Sequence, residues 1–283
     1  MVQKPRIDIV LVGAVAFEIE TLVATLPAPQ VSSLLGERCW MARFGSLSLL
    51  VGTTGIGKVN GAITTSAILE RFRVRTIWNI GCAGAYEAGP LRVGDVLVSD
   101  SVLCGDEGVL GTRGVESPRC IGIPLVSHKG KAYYDFFPLG DSRFFETAAA
   151  LTPPGRYGLG ESGLLTMPEA TSWEGDCFGS LAQCGSFQIH HGASLTVGMA
   201  SGDPTTARKR FERYRALAEN MEGSAVAQTC LRYGVPMLEC RGMSNFAGDR
   251  DKSHWRLREA MVSCHAVVRS WLVRLSQDGR WPT

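Results

Sequence analysis

Apolar residues along the chain fall into short runs of strand length, each ended by a glycine turn, and several of these turns lead into segments with helical spacing. Ile7 to Leu11 is such a run. Gly13 breaks it, and Phe17 to Leu26 then carries helix-compatible spacing that stops before Pro27 and Pro29. The pattern recurs at Leu47 to Thr53, where a strand is predicted, followed by the glycine-rich Gly55 to Gly61 and a helix over Ala62 to Phe72 with Ile63, Ala67 and Leu69 inward. In a third unit Ile77, Trp78 and Ile80 lead into Gly81-Cys82-Ala83-Gly84-Ala85, and a strand over Asp95 to Leu103 follows the turn Val93-Gly94. Strands alternating with glycine turns and helices predict an α/β layer fold.

Between Gly105 and Ile189 the pattern weakens, with glycines and prolines throughout, and only Asp141 to Leu151 reads as a helix, ended by Pro153-Pro154. Order returns with a strand over Ala193 to Met199, helices over Pro204 to Glu219 and Glu222 to Tyr233, a strand over Pro236 to Gly242 and a last helix over Ser253 to Leu275. Leu257, Met261, Val268 and Leu272 should turn one face of that helix to the sheet. No internal repeat, low-complexity tract or long linker appears. The simplest organisation is one α/β domain over residues 1–283 with an irregular insertion at about 105–190.

Composition narrows the functional classes. Hydrophobic residues make up 45% and charged residues 20%, and 29 basic side chains stand against 27 acidic ones for a formal charge of +2. That excludes a disordered chain and gives no electrostatic reason to expect nucleic acid or an anionic membrane as partner. No run of 18 apolar residues exists, and Met1 to Pro5 leads into a strand rather than a signal-peptide core, so a cytoplasmic protein is expected. Nine scattered cysteines without a CxxC pair predict reduced, mostly buried thiols rather than a zinc site. The five histidines lack metal-ligand spacing, and no GxSxG supports a serine hydrolase.

Gly52-Thr53-Thr54-Gly55-Ile56-Gly57-Lys58-Val59 matches the phosphate-binding loop GxxxxGK[ST] except at its last position, where Val59 offers no oxygen to magnesium. Gly55, Gly57 and Gly61 are spaced GxGxxxG, not the dinucleotide GxGxxG. The glycines serve either a tight turn alone or a close approach of backbone to a small ligand. Asn79 to Ala85 places small residues at a strand's carboxyl end, where open α/β sheets bind ligands or where sheet and helix simply cross. Glu18 and Glu20 follow the first strand, where either is a solvated helix residue or points into the same crevice. Glu222 heads a helix, Asn245 follows Arg241-Gly242-Met243-Ser244, and both also have plain capping or turn readings. Asp249-Arg250-Asp251 reads as a cap with a local ion pair.

In combination, Gly13-Ala14 with Glu18, Gly55 to Asn60, Asn79 to Gly84, Val93 to Val96, Ser201-Gly202-Asp203, Met221-Glu222 and Arg241 to Asn245 resemble the purine nucleoside phosphorylase and nucleosidase superfamily. The pattern is most similar to its nucleosidase branch, that of methylthioadenosine/S-adenosylhomocysteine nucleosidases and futalosine hydrolases. The resemblance implies a mixed β-sheet flanked by helices, no cofactor or metal, a small purine nucleoside as partner and a homo-oligomer. It also implies roles: Glu18 as the base that aims water at the anomeric carbon, Glu222 as the ribose anchor, and Asn245 at the purine. Met221 would lie under the ribose, while Cys82, Ala83, Gly84 and Ser244 line the substrate. Adenine-specific members carry an aspartate at the position of Asn245, whereas an amide can donate to O6 of a 6-oxopurine and accept from a protonated N7. Hypoxanthine release from futalosine is therefore expected, with Ser244 to Asp251 and Trp255 similar to the futalosine hydrolase version of the segment. The rivals are a phosphorylase, an adenine nucleosidase and a non-catalytic nucleoside-binding protein. Arg113, Arg119 and Lys129 are charge-based candidates for the carboxylate of futalosine's aromatic arm.

Overall fold

In the computed structural model, residues 4–112, 114–160, 163–166 and 186–278 are described. The apolar run at the start becomes β1 (Arg6–Gly13), whose residues Ile9 to Val12 are fully buried. Burial on both faces is what a central parallel strand requires, and it explains why Ile9 to Val12 are apolar in succession instead of alternating. β2 (Gln30–Leu34), β3 (Glu37–Phe44) and β4 (Leu47–Thr53) follow, with α1 (Glu20–Ala24) between β1 and β2. After α2 (Lys58–Arg71) come β5 (Arg73–Ala85) and β6 (Val96–Cys104). β7 (Phe136–Pro138), α3 (Arg143–Leu151), β8 (Gly155–Leu159) and β9 (Leu165–Thr166) belong to the insertion. The chain then forms β10 (Phe187–Thr196), α4 (Pro204–Tyr214), β11 (Ala218–Asn220), α5 (Gly223–Tyr233), β12 (Met237–Phe246) and α6 (Leu257–Asp278).

These strands make one mixed sheet in the order β9-β8-β10-β6-β12-β5-β1-β4-β3-β2, with β7 on β6 and β11 between β10 and β5. β4, β1, β5 and β12 are mutually parallel, so their carboxyl ends share one edge. Alternate residues of β1 feed two cores: Ile9 and Leu11 pack with α3 and α6, Val10 and Val12 with α2 and α5. Trp78 of β5 meets Trp271 of α6 edge to face at 5.6 Å between centroids. The mixed sheet flanked by helices is thus the expected fold class.

Several boundaries differ from the sequence expectation. The helix expected over Phe17 to Leu26 is only a 3-10 turn, Ala16–Glu18, and the five-residue α1. α2 begins at Lys58, and Ile63 is 53% exposed instead of inward, because Gly61, Thr65, Ile68 and Leu69 form the packed face. The expected helix over Pro204 to Glu219 ends at Tyr214, where Arg215 turns left-handed at φ +53°, and Ala218 to Asn220 pair with β10 and β5 as β11. β10 starts six residues before the expected strand and stops at Thr196, since its first half pairs with β6 and β8. β12 runs on to Phe246. α6 begins at Leu257, which is itself half-exposed, while Met261, Val268 and Leu272 are buried as expected. The insertion is less irregular than it reads, adding to β7, α3, β8 and β9 two small hairpins, Val109–Gly111 with Gly114–Glu116 and Val126–His128 with Lys131–Tyr133. Five of the seven described cysteines are buried, and all seven are free.

Candidate active site at the carboxyl ends of the parallel strands

Three chain reversals meet at the shared edge of β1, β4 and β5. Thr54 N donates to Gly13 O and Gly55 N to Ala14 O, which ties the turn after β4 to the turn after β1. Gly55 and Gly57 have φ of +83° and +94°, backbone that side chains resist, and Gly57 so turned donates its N–H to Glu222 Oε1 at 2.9 Å. The phosphate-loop-like glycines therefore build a tight turn whose amide faces a carboxylate. Lys58 is no phosphate ligand either: its Nζ pairs with Asp106 at 2.6 Å and Glu107 at 2.9 Å. Burial works against the Lys58 charge, and these two carboxylates more than restore it, so its pKa stands above the ordinary lysine value.

Glu18 is buried at the end of the 3-10 turn, while Glu20 is exposed, so the first is the one that enters the crevice. Its Oε2 accepts from Ala14 N at 2.6 Å and Val15 N at 3.3 Å, and its Oε1 from Cys82 N at 2.7 Å. His265 of α6 holds the Glu18 carbonyl through Nε2 at 2.8 Å. Gly81 is required by space: a Cβ there would stand 2.4 Å from Glu18 Oε1 and 2.7 Å from Arg241 Nη1. A Cβ on Gly84 would crowd Ala247, whose Cα lies 3.3 Å from where it would stand. Cys82 is half-buried, Ala83 buried, and burial together with the Glu18 charge pushes the Cys82 thiol up, out of the thiolate range.

Glu222 stands at the N-cap position of α5 but makes no side-chain cap bond there, and Met221 lies half-buried beside it. Desolvation raises the Glu222 pKa, and the Arg241 guanidinium and the Gly57 N–H offset part of that. Arg241 is fully buried and donates to Glu239 Oε2 at 3.1 Å. Burial disfavours its charge, but Glu239, Glu222 and Glu18 together hold its pKa above the ordinary arginine value. Near the end of β12 the register against β5 shifts between Met243 and Asn245, a bulge that re-aims the strand. There Ser244 Oγ donates to Asn245 Oδ1 at 2.8 Å, and Asn245 Nδ2 donates to Phe246 O at 2.8 Å. A hydroxyl donor on one side and a carbonyl acceptor on the other fix the amide's orientation and leave its second N–H unused by this pair of bonds.

The edge thus gathers Glu18, Cys82, Ala83, Gly84, Met221, Glu222, Ser244 and Asn245, residues up to 227 positions apart in the sequence that come together where β5 pairs with β12 and Gly57 reaches Glu222. Arg241, part of the Arg241 to Asn245 motif but given no role there, and Glu239, outside every motif, join them. Their signal is two charges at period 2 in the otherwise apolar Met237 to Gly242, which a buried strand tolerates only as a pair. Of the cations considered for an aromatic carboxylate, Arg119 lies stacked over Tyr134 at 4.5 Å, Arg113 falls outside the described residues, and Lys129 is exposed in the hairpin beside the far end of α5. The cap at Asp251 forms as expected, but its ion-pair partner is His254, which meets Asp249 at 2.8 Å, while Arg250 stacks over Trp255. A groove of about 780 Å³ between Tyr86 and α4 contains none of Glu18, Glu222 or Asn245. No cluster of three metal-ligating side chains stands among the described residues, and no helix there is long and apolar enough to cross a membrane.

The sequence profile of the phosphorylase superfamily matches residues 8–272. A futalosine hydrolase of Thermus thermophilus is 34% identical over 219 residues, covering 77% of this chain and 79% of its own. A 5'-methylthioadenosine/S-adenosylhomocysteine nucleosidase of Chromohalobacter salexigens is 26% identical over 261 residues, 92% of this chain and 93% of its own. Among solved structures, the nucleosidase of that name from S. pneumoniae, with a transition-state inhibitor, superposes with a TM-score of 0.69 at 22% identity, covering 94% of this chain and 98% of the other. That from Colwellia psychrerythraea, in complex with adenine, gives 0.69 at 21% identity over 97% and 98%.

Proposed function

The chain belongs to the phosphorylase superfamily, and we propose that within it the protein is a purine nucleosidase that hydrolyses futalosine, releasing hypoxanthine in menaquinone biosynthesis. Cleavage of an N-riboside passes through a cation-like ribosyl group. Glu18 takes a proton from the water whose oxygen bonds to C1', the N9–C1' bond breaks with its electron pair leaving on the purine, which takes up a proton from solvent at N7, and Glu222 anchors the ribose hydroxyls. Asn245 donates to O6 and accepts from protonated N7. Cys82, Ala83, Gly84, Met221 and Ser244 line this path and need no cofactor.

The observation that carries the choice of base is the setting of Asn245. Ser244 donates to Oδ1 and the Phe246 carbonyl accepts from Nδ2, and an amide satisfies both whereas a carboxylate would meet that carbonyl with no proton to give. Adenine-nucleoside cleavage is the second reading, favoured by the methylthioadenosine/S-adenosylhomocysteine nucleosidase that matches over 92% of the chain. A phosphorylase needs a free cation for phosphate, and Arg241, the guanidinium at this edge, is already held by Glu239. Incubation with futalosine, inosine or methylthioadenosine, with and without phosphate, tests the reading by chromatography. Hypoxanthine from futalosine without phosphate is expected, and adenine from methylthioadenosine as the faster product overturns it.

Self-association is part of this proposal. Val15, Phe17, Ile56, Val59 and Ile63 are exposed apolar residues on the turns that carry Glu18 and Gly57 and on α2 behind them, a patch that a second copy would cover. A monomeric mass by light scattering overturns that part. A cytoplasmic setting, in which free thiols stay reduced, accords with the same proposal.

A further inference from the structure

Beneath the site lies a carboxylate that the reaction above does not use. Glu239 is fully buried in β12, and its oxygens collect donors from four strands. Oε1 accepts from Ser99 of β6 at 2.9 Å and from Ser194 of β10, and Oε2 accepts from Asn79 of β5 at 2.9 Å and from Arg241 at 3.1 Å. Gly223, the first residue of α5, closes the nest, since a Cβ there would stand 2.4 Å from Oε2. Burying a carboxylate is costly even when it is fully bonded, and an apolar residue would serve a sheet that needed packing alone.

We propose that Glu239 is a positioning residue for the nucleosidase reaction: it holds one face of Arg241, fixes the guanidinium beside Glu18 and Glu222, and keeps it from neutralising either carboxylate. The proposal rests on the reading of Glu18 as base and Glu222 as ribose anchor. Three carboxylates then share one guanidinium, so negative charge is left over at the place where the substrate turns cationic. The charged or titratable groups facing the pair are Glu18 from the turn after β1, Glu222 at the head of α5, Cys82 on β5, Cys240 on β12 and Cys264 on α6. β6 and β10 contribute the neutral Ser99 and Ser194. Without the Glu239 charge, Arg241 has only Glu18 and Glu222 to pair with, which weakens them as base and anchor and makes Glu222 harder to protonate.

Glu239→Gln keeps the shape and removes the charge. With wild type and variant acting on futalosine or methylthioadenosine, we expect kcat to fall about tenfold, KM to change little, and the acid limb of the kcat/KM profile to move down by about one pH unit. Gly223→Ala, whose Cβ takes the place of Oε2, keeps the charge and breaks the contact, so a smaller shift of the same sign is expected should Glu239→Gln fail to fold. Ser99→Ala removes a donor from the other oxygen and should leave the limb in place. A cooperatively melting Glu239→Gln protein, or failing that a Gly223→Ala protein, with the wild-type acid limb overturns the proposal whatever happens to kcat. A wild type that cleaves no nucleoside instead overturns the assigned reaction and this inference with it.

Discussion

Glu222 Oε1 accepts the Gly57 N–H at 2.9 Å across 165 residues of sequence, so the turn after β4 and the head of α5 meet on one carboxylate. The contact leaves Oε2 of Glu222 outside the bond. It also shows why a glycine is needed at residue 57, whose left-handed backbone aims the amide.

Replacing Glu222 by Gln should separate binding from stability. Desolvation raises the carboxyl pKa in the folded chain above its unfolded value, so its contribution to stability is present below the unfolded pKa and is lost as pH rises through the folded one. A neutral amide escapes that loss, and Glu222→Gln should melt no lower than wild type at neutral pH. Its kcat/KM should nevertheless fall about tenfold to 100-fold, the scale of a charge-assisted hydrogen bond. Melting curves at acid and neutral pH, with riboside and 2'-deoxyriboside as substrates, check both halves. Equal cleavage of the two sugars by wild type removes Glu222 from the ribose.

Glu18→Gln should lower turnover by roughly a hundredfold or more, the usual scale for loss of a general base. It should also cost about 1 to 3 kcal/mol of stability, because both Glu18 oxygens accept backbone N–H bonds and an amide nitrogen would face one of those donors. Denaturant unfolding alongside turnover distinguishes the two effects. A folded variant with wild-type turnover moves the base elsewhere.

Gly81→Ala tests the same corner from the other side. Its Cβ would lie 2.4 Å from Glu18 Oε1 and 2.7 Å from Arg241 Nη1, and the first of these is pinned by the Cys82 N–H. Turnover should fall by more than about tenfold, since a displaced base loses its aim at the attacking water. Steady-state kinetics on a variant with a cooperative melt provide the check, and unchanged kcat means the corner relaxes without consequence for the chemistry.

What the sequence makes legible follows from how each feature is encoded. β1 and β4 read directly, because strands covered on both faces are apolar at nearly every position. The end of α4 does not, since Ala216-Leu217-Ala218 fit helix or strand alike and only pairing with β10 and β5 decides. The inward face of α2 is hidden because Gly61 packs against Ala225 and Val226 of α5, so a glycine, not Ile63, marks the contact. Glu18, Glu222 and Asn245 stand out only through the resemblance, whose motifs also hold Gly57, Gly81 and Arg241, whereas the contacts by which Gly57 meets Glu222, Gly81 makes room for Glu18 and Glu239 holds Arg241 join distant turns and strands that no local pattern encodes.

The base pocket gives the sharpest test. Asn245 Oδ1 takes a hydrogen bond from Ser244 and Nδ2 gives one to the Phe246 carbonyl, leaving a second N–H with which to meet O6 of hypoxanthine. In Asn245→Asp the carboxylate would face both the Phe246 carbonyl and O6 with no proton to offer, while it could accept from the 6-amino group of adenine. One lost hydrogen bond and a misplaced charge amount to about 2 to 4 kcal/mol, so the specificity ratio for hypoxanthine over adenine nucleosides should drop by roughly 30-fold to 800-fold. The two neighbours act on the new carboxylate in opposite senses whatever the substrate: the Ser244 hydroxyl still donates to it, but the carbonyl of Phe246 favours the protonated acid, so the shift toward adenine should be larger at high pH, where the carboxylate is ionised. Competition between futalosine and its 6-amino analogue, measured at two pH values, gives the ratio directly. An unchanged ratio makes Asn245 a turn residue and removes the main support for a 6-oxopurine substrate.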